Sequence, residues 1–153
     1  MEFTPTVANN RESGGVGGGN NDNFYIINPG TNKALDVSGA NCADGTNIHL
    51  YTRNRTPAQI FRFGDNNSII NVECNKALDV SGGNCATNTN IHLWRENGTG
   101  AQSFRLESDG TIVSNLCDKT VDIDSRSGGA DGSNIKLYPE NGYWDQQWVI
   151  ELI

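Results

Sequence analysis

No stretch of 18 consecutive apolar residues occurs in this chain, so the sequence offers no candidate for a membrane-spanning helix, and membrane insertion is not expected. Basic residues are few. Eleven Lys and Arg stand against 18 Asp and Glu, for a net charge of −7. That balance argues against nucleic acid or an anionic lipid surface as partner, because both demand a basic face. No segment of useful length carries a helical period. No Ser-His-Asp set and no zinc-ligand spacing is present. Only 2 histidines occur, His49 and His92, each in its own copy of a repeat, so neither a metal nor a cofactor is expected.

What the chain has is repetition. "NKALDVSGANC" at 32–42 returns as "NKALDVSGGNC" at 75–85, and a weaker copy, "DKTVDIDSRSG", begins at Asp118. Asp36, Asp79 and Asp122 are thereby spaced 43 residues apart. "TNIHLY" (46–51) recurs as "TNIHLW" (89–94) and "SNIKLY" (133–138), and "AQIFRF" (58–63) as "AQSFRL" (101–106) and "DQQWVI" (145–150). The third copy slips by one residue after Asp122, in the "SRSGGADG" loop. A fixed period of this length marks a repeat architecture.

Each copy reads as four short strands. "FYIIN" (24–28) is β-branched and aromatic and is closed by the turn signal "PGTN". "KALDVS" puts Leu35 and Val37 on one side and Asp36 on the other, and "NIHLY" puts Ile48 and Leu50 inward with His49 and Tyr51 outward. Abundant glycine, 18 residues, suits many turns. One four-strand unit cannot bury both faces, whereas three about a common axis can share a core. Residues 1–22 contain no apolar segment of signal-peptide length and read as a flexible Gly/Asn-rich tail, either a remnant of expression or a linker to a catalytic or other domain.

Threefold units of this length, each with "LDV" early and Gln-x-Phe or Gln-x-Trp late, resemble the ricin-type β-trefoil lectins and carbohydrate-binding modules. The late motif stands here as "QIF" (59–61), "QSF" (102–104) and "QQW" (146–148), each 23 or 24 residues after its aspartate. The resemblance covers residues 23–153, with repeats at about 23–66, 67–109 and 110–153. It implies an all-β fold, a β-trefoil with pseudo-threefold symmetry, in which six strands form a barrel capped by three hairpins.

Four cysteines allow three pairings. Cys42 and Cys85 share one place in their copies, and Cys74 and Cys117 another. Pairing within copy two would strand Cys42 and Cys117. Pairing from one copy to the next joins Cys42 to Cys74 and Cys85 to Cys117, one bridge repeated, and the repeat favours it. A third such bridge would need cysteines at Thr31 and Gly128, and both are missing. Each bridge would contribute about 3–4 kcal/mol in the chain-entropy model. Disulfides point to an oxidising, extracellular or secreted setting; four free thiols in a reducing one are the alternative.

The repeated surface sets an outward Asp, then an outward aromatic, then an Asn: Asp36, Tyr51 and Asn54; Asp79, Trp94 and Asn97; Asp122, Tyr138 and Asn141. A sugar lays its C–H face on a ring and donates hydroxyls to a carboxylate, and Asn adds a donor and an acceptor. In the resembled family this constellation is the sugar site, which implies multivalent binding of galactose-type or xylan-like glycans. Gln59, Gln102 and Gln146 read as supports that hold a turn, and His49 and His92 as neighbours of the ring. Copies two and three rank above copy one, where "RNRTP" (53–57) replaces "ENG"; Trp144 and Asp145 are expected to add surface to copy three. Sequons at Asn54, Asn66 and Asn97 would place glycans inside two of these sites in a glycosylating host. A glycoside hydrolase is the alternative of another class, but it needs two carboxyls flanking one bond, and the repeated Asp residues lie in separate copies. A trefoil protease inhibitor would act through one unsymmetrical loop.

Overall fold

The computed structural model describes residues 22–153, so the tail expected over 1–22 lies, Asp22 apart, outside the described residues. Twelve strands follow in order. The first lobe holds β1 (Phe24–Asn28), β2 (Lys33–Val37), β3 (Ile48–Tyr51) and β4 (Phe61–Phe63). The second holds β5 (Ile69–Asn71), β6 (Lys76–Val80), β7 (Ile91–Trp94) and β8 (Phe104–Leu106). The third holds β9 (Ile112–Ser114), β10 (Thr120–Ile123), β11 (Ile135–Tyr138) and β12 (Val149–Leu152). No α-helix occurs among the described residues; the connections contain single 3-10 turns.

Every pairing is antiparallel. β1 pairs with β4 and, across the chain ends, with β12; β4 pairs with β5, and β8 with β9. The hairpins β2–β3, β6–β7 and β10–β11 stand on this framework. The fold is the all-β trefoil. Asn32, Asn75 and Asp118 each adopt a positive φ, 58°, 54° and 55°, just before β2, β6 and β10. Asn and Asp tolerate that left-handed conformation, which is why an Asn or Asp opens each copy of the repeated segment.

The alternation read from sequence becomes one shared core. Leu35, Val37, Ile48 and Leu50 are fully buried, as are Leu78, Val80, Ile91 and Leu93 and their third-lobe counterparts Val121, Ile123, Ile135 and Leu137. Each such side chain contributes about 1.5–3 kcal/mol of transfer free energy. On the pseudo-threefold axis three asparagines close a ring. Asn47 Nδ2 donates to Asn134 Oδ1 at 2.8 Å, Asn90 to Asn47 at 2.9 Å, and Asn134 to Asn90 at 2.9 Å. A half-buried polar network of this kind stabilises one arrangement best when every member is paired, as here.

The lobes are stitched at their seams. The disulfides are Cys42–Cys74 and Cys85–Cys117, each spanning 32 residues. Beside them Lys76 donates to the Cys42 carbonyl, and Lys119 to the Cys85 carbonyl. At the third seam Lys33 donates to the Gly129 carbonyl at 3.0 Å. Gly129, not Gly128, therefore occupies the cysteine's place, because the third loop carries its extra residue before this point. Trp144 fills the space instead of a bridge. A Cβ on Gly30 would come within 3.3 Å of the Trp144 ring, and one on Gly129 within 2.6 Å of Thr31 Cγ2. Trp144 thus packs at the seam between lobes three and one while 42% of it stays exposed, and of the two residues expected to add surface to copy three, Asp145 lines the third-lobe cavity and Trp144 does not.

Candidate functional site

The three glutamines of the repeat make one device three times. Gln59 Nε2 donates to Asp36 Oδ2 at 2.8 Å and to the Thr52 carbonyl at 2.9 Å, while its Oε1 accepts from Asn54 N at 3.1 Å. Gln102 holds Asp79, the Arg95 carbonyl and Asn97 N at 2.8, 2.8 and 3.0 Å. Gln146 holds Asp122, the Pro139 carbonyl and Asn141 N at 2.7, 2.9 and 2.9 Å. Each glutamine fixes its carboxylate and the loop after the ring. The aromatic two residues on, Phe61, Phe104 or Trp148, anchors the glutamine's segment in the core, and Trp148 Nε1 also donates to the Val121 carbonyl at 3.0 Å.

The aspartates face away from the core, but they are not exposed as the alternation suggested. Their side chains are 8, 7 and 3% exposed in Asp36, Asp79 and Asp122, because a neighbour on the paired strand covers each. His49 Nε2 lies 2.9 Å from Asp36 Oδ1, and His92 Nε2 2.9 Å from Asp79 Oδ1. In the third lobe Lys136 Nζ takes that place at 3.3 Å from Asp122 Oδ1. The covering group also touches the ring. His49 stacks on Tyr51 and His92 on Trp94, with centroids 5.4 Å apart in both, and Lys136 Nζ sits 4.3 Å from the Tyr138 ring centroid. A chain of Gln, Asp, His or Lys, and ring is therefore connected by direct contacts in every lobe. A carboxylate has about four lone-pair sites. Two are used here, which leaves acceptor capacity for ligand hydroxyls.

The asparagines turn their loops. The Oδ1 of Asn54 accepts from Thr56, that of Asn97 from Thr99, and that of Asn141 from Tyr143 N. The amide's donor end is what each retains for a ligand. The sequon asparagines Asn54, Asn66 and Asn97 are all exposed.

The second and third lobes open into cavities at these residues. That of the second lobe, about 520 Å³, is lined by Asp79, His92, Trp94 and Asn97, and by Leu116 from the turn before β10. That of the third, about 530 Å³, is lined by Asp122, Lys136, Tyr138 and Asn141, with Asp124, Arg126, Tyr143 and Asp145. On the first lobe a smaller cavity of about 310 Å³ is lined by Tyr25, Asn32, Arg53, Arg55 and Gln59, without Asp36 or Tyr51. Leu116 and Tyr143 escape the repeat pattern, since neither has a like residue at the matching places in other copies. The signal that could have found them is the geometry of neighbouring turns, not periodicity.

The electrostatics differ between lobes. Burial pushes the Asp122 carboxyl above its ordinary range, and the Asp145 carboxylate adds to that, against the opposing pull of Gln146 and Lys136. The Arg126 side chain binds Asp124 through two hydrogen bonds and holds it down to about 2. Among the described residues no cluster of three or more His, Cys, Asp or Glu could hold a metal ion.

Residues 22–148 match the family described as the ricin-type beta-trefoil lectin domain. The chain belongs to this family. ThreeFoil, a designed threefold-symmetric protein, is 28% identical with a TM-score of 0.79, over 84% of this chain and 97% of that one. An exo-beta-1,3-galactanase from Clostridium thermocellum is 25% identical with a TM-score of 0.80; the match takes in 88% of this chain but 31% of the enzyme's. The C-half of an earthworm R-type lectin, solved in complex with GalNAc, shares the fold at 23% identity and a TM-score of 0.74, over 86% of this chain and 99% of that one. No match is found among curated protein sequences. Membership carries the coarse function: this is a non-catalytic carbohydrate-binding domain.

Proposed function

We propose that the domain binds glycans multivalently, through its second and third lobes, and that its ligands are galactose-type or xylan-like chains. The observation that carries this reading is a carboxylate locked by Gln102 or Gln146 beside a ring, at the wall of an open cavity. The sugar's apolar face lies on Trp94 or Tyr138, its hydroxyls donate to Asp79 or Asp122, and Asn97 or Asn141 donates from the loop. Because glutamine and strand hold each carboxylate before the ligand arrives, little ordering entropy is lost on binding. Single sites of this kind bind weakly, and two on one rigid body gain avidity on a polymer. Asp36, Tyr51 and Asn54 form the weakest site. His49, His92 and the three glutamines support the carboxylates and do not touch sugar.

The disulfides and the family fit an extracellular protein. The tail over 1–22 is read as a linker to a catalytic domain. The match to about a third of a galactanase supports that reading, since a domain of this kind is joined to an enzyme there. A glycan array with the intact domain, followed by titration calorimetry on the strongest hit, tests the proposal. Binding of a galactose- or xylose-containing glycan with two sites per chain is expected, and an array on which nothing binds removes it.

A further inference from the structure

Ala58 and Ala101 precede the glutamine in the first two lobes, and Asp145 stands at that place in the third. Its residue is only 6% exposed, it lines the third-lobe cavity, and its buried Oδ1 has no hydrogen-bond partner. The other charges of the cavity are matched. Arg126 pairs with Asp124 at 2.6 Å and Lys136 with Asp122 at 3.3 Å. Of three carboxylates and two cations on the lining, Asp145 is the one left over. A buried carboxylate without a hydrogen-bond or ion partner is costly, and a cation brought against that carboxylate from the cavity offsets part of the cost. The Asp122 carboxylate lines the same cavity and is close enough to feel Asp145 electrostatically, so the two acids add their negative potential on that side.

We propose that Asp145 is a specificity-determining residue that makes the third-lobe site select sugars with a free, protonated amino group, that is, unacetylated hexosamine residues, with the ammonium seated against Asp145 on the Asp122 side. The inference rests on the sugar-binding reading of that lobe. A neutral hydroxyl at the same place supplies a weaker bond than an ammonium, and acetylation removes the charge. The second lobe, with Ala101 in the equivalent position, has no such preference.

The test uses the Asp79→Ala chain, in which the second lobe is weakened, and calorimetric titration with galactosamine, galactose and N-acetylgalactosamine and with the gluco counterparts. The amine-bearing sugar should bind the third lobe about tenfold more tightly than its parent hexose, the difference between a charge-assisted and a neutral hydrogen bond. The preference should vanish in Asp145→Asn and Asp145→Ala, and also when the pH is raised until the amine is neutral, while the parent hexose still binds. Alanine is native to the other two lobes, so the fold tolerates it. Hexose binding with no preference for the amine, or a preference that survives Asp145→Asn, overturns this inference alone. If none of these sugars binds the third lobe, the inference falls, and if a xylo-oligosaccharide also fails to bind there, the sugar-site reading falls with it.

Discussion

The second and third lobes share a backbone and differ in what surrounds it. Both hold the aspartate by the same glutamine and seat a ring beside it. In the second lobe the aspartate's cover is His92, and the wall is Trp94 and Leu116, so the cavity is largely apolar. In the third the cover is Lys136, and Asp124, Arg126 and Asp145 line the same region. On the proposed reading, the repeat supplies a common means of holding a sugar, and the residues that tell sugars apart come from positions the copies do not share.

Removing the shared device should have the largest effect. Gln102→Ala or Gln146→Ala deprives a buried carboxylate, a carbonyl and a loop N–H of their partner at once. Unsatisfied buried groups cost about 1–3 kcal/mol each. Either variant should lower the unfolding free energy by about 2–4 kcal/mol after partial relaxation, and binding at its own lobe should disappear. Denaturant titration checks the first, calorimetric stoichiometry the second. Unchanged binding at the altered lobe would remove the glutamine from the account of the site.

Next in size is loss of the acceptor itself. Asp79→Ala should silence the second lobe and Asp122→Ala the third, by about 1.5–3 kcal/mol, or tenfold to a hundredfold. Trp94→Ala should weaken the second lobe to a similar degree, and Asp36→Ala should matter least. Titration of these variants decides the order. If Asp36→Ala abolishes binding while the other two aspartate changes leave it intact, the ranking of lobes is inverted.

The third lobe should also carry a pH signature. Burial raises the Asp122 carboxyl above its unfolded value. Asp122 therefore contributes stability that is fully present below the unfolded pKa and is lost as the pH rises through the folded one. Binding runs the other way, because the ionised carboxylate is the better acceptor. As the pH falls into the range above the ordinary aspartate value, third-lobe affinity in the Asp79→Ala chain should decline while the melting temperature gains relative to Asp122→Asn. Affinity that stays level across that window would mean that the Asp122 charge does not bear on the ligand.

Much of this could be read from the repeat. The strand pattern, the seams joined by Cys42–Cys74 and Cys85–Cys117, and the pairing of each aspartate with its ring follow from period and alternation, because symmetry makes three weak local signals into one strong one. Alternation says only which way a side chain leaves the strand. It placed Asp36, Asp79 and Asp122 off the core, yet could not show that His49, His92 and Lys136 cover them, since that depends on cross-strand register. Trp144 and Asp145 are neighbours in the chain, but one fills the seam without a disulfide and the other enters the cavity, a division that only the packing against Gly30 and Gly129 decides. Departures from the repeat carry no period and hence no signal.

The smallest effect concerns one such departure. Leu116 belongs to the third lobe's chain segment but stands 49% exposed at the second lobe's cavity, against Gly100. Half of its surface already meets water, so Leu116→Ala removes little from the folding balance, and the melting temperature should hardly move. In a complex the same side chain gains a partner and buries its remaining apolar surface against the ligand. At about 0.8 kcal/mol per buried methylene, truncation should cost about 1 kcal/mol, some fivefold, and only for ligands with an apolar face or substituent on that side. The third lobe, with no contact to Leu116 in its cavity lining, should keep its affinity. Titration of Leu116→Ala in the Asp79→Ala and Asp122→Ala backgrounds separates the two lobes. A fivefold loss that appears only when Asp79 is intact assigns Leu116 to the second site, whereas an equal loss in both backgrounds would mean that the substitution disturbs the seam at Cys85–Cys117 and not a sugar contact.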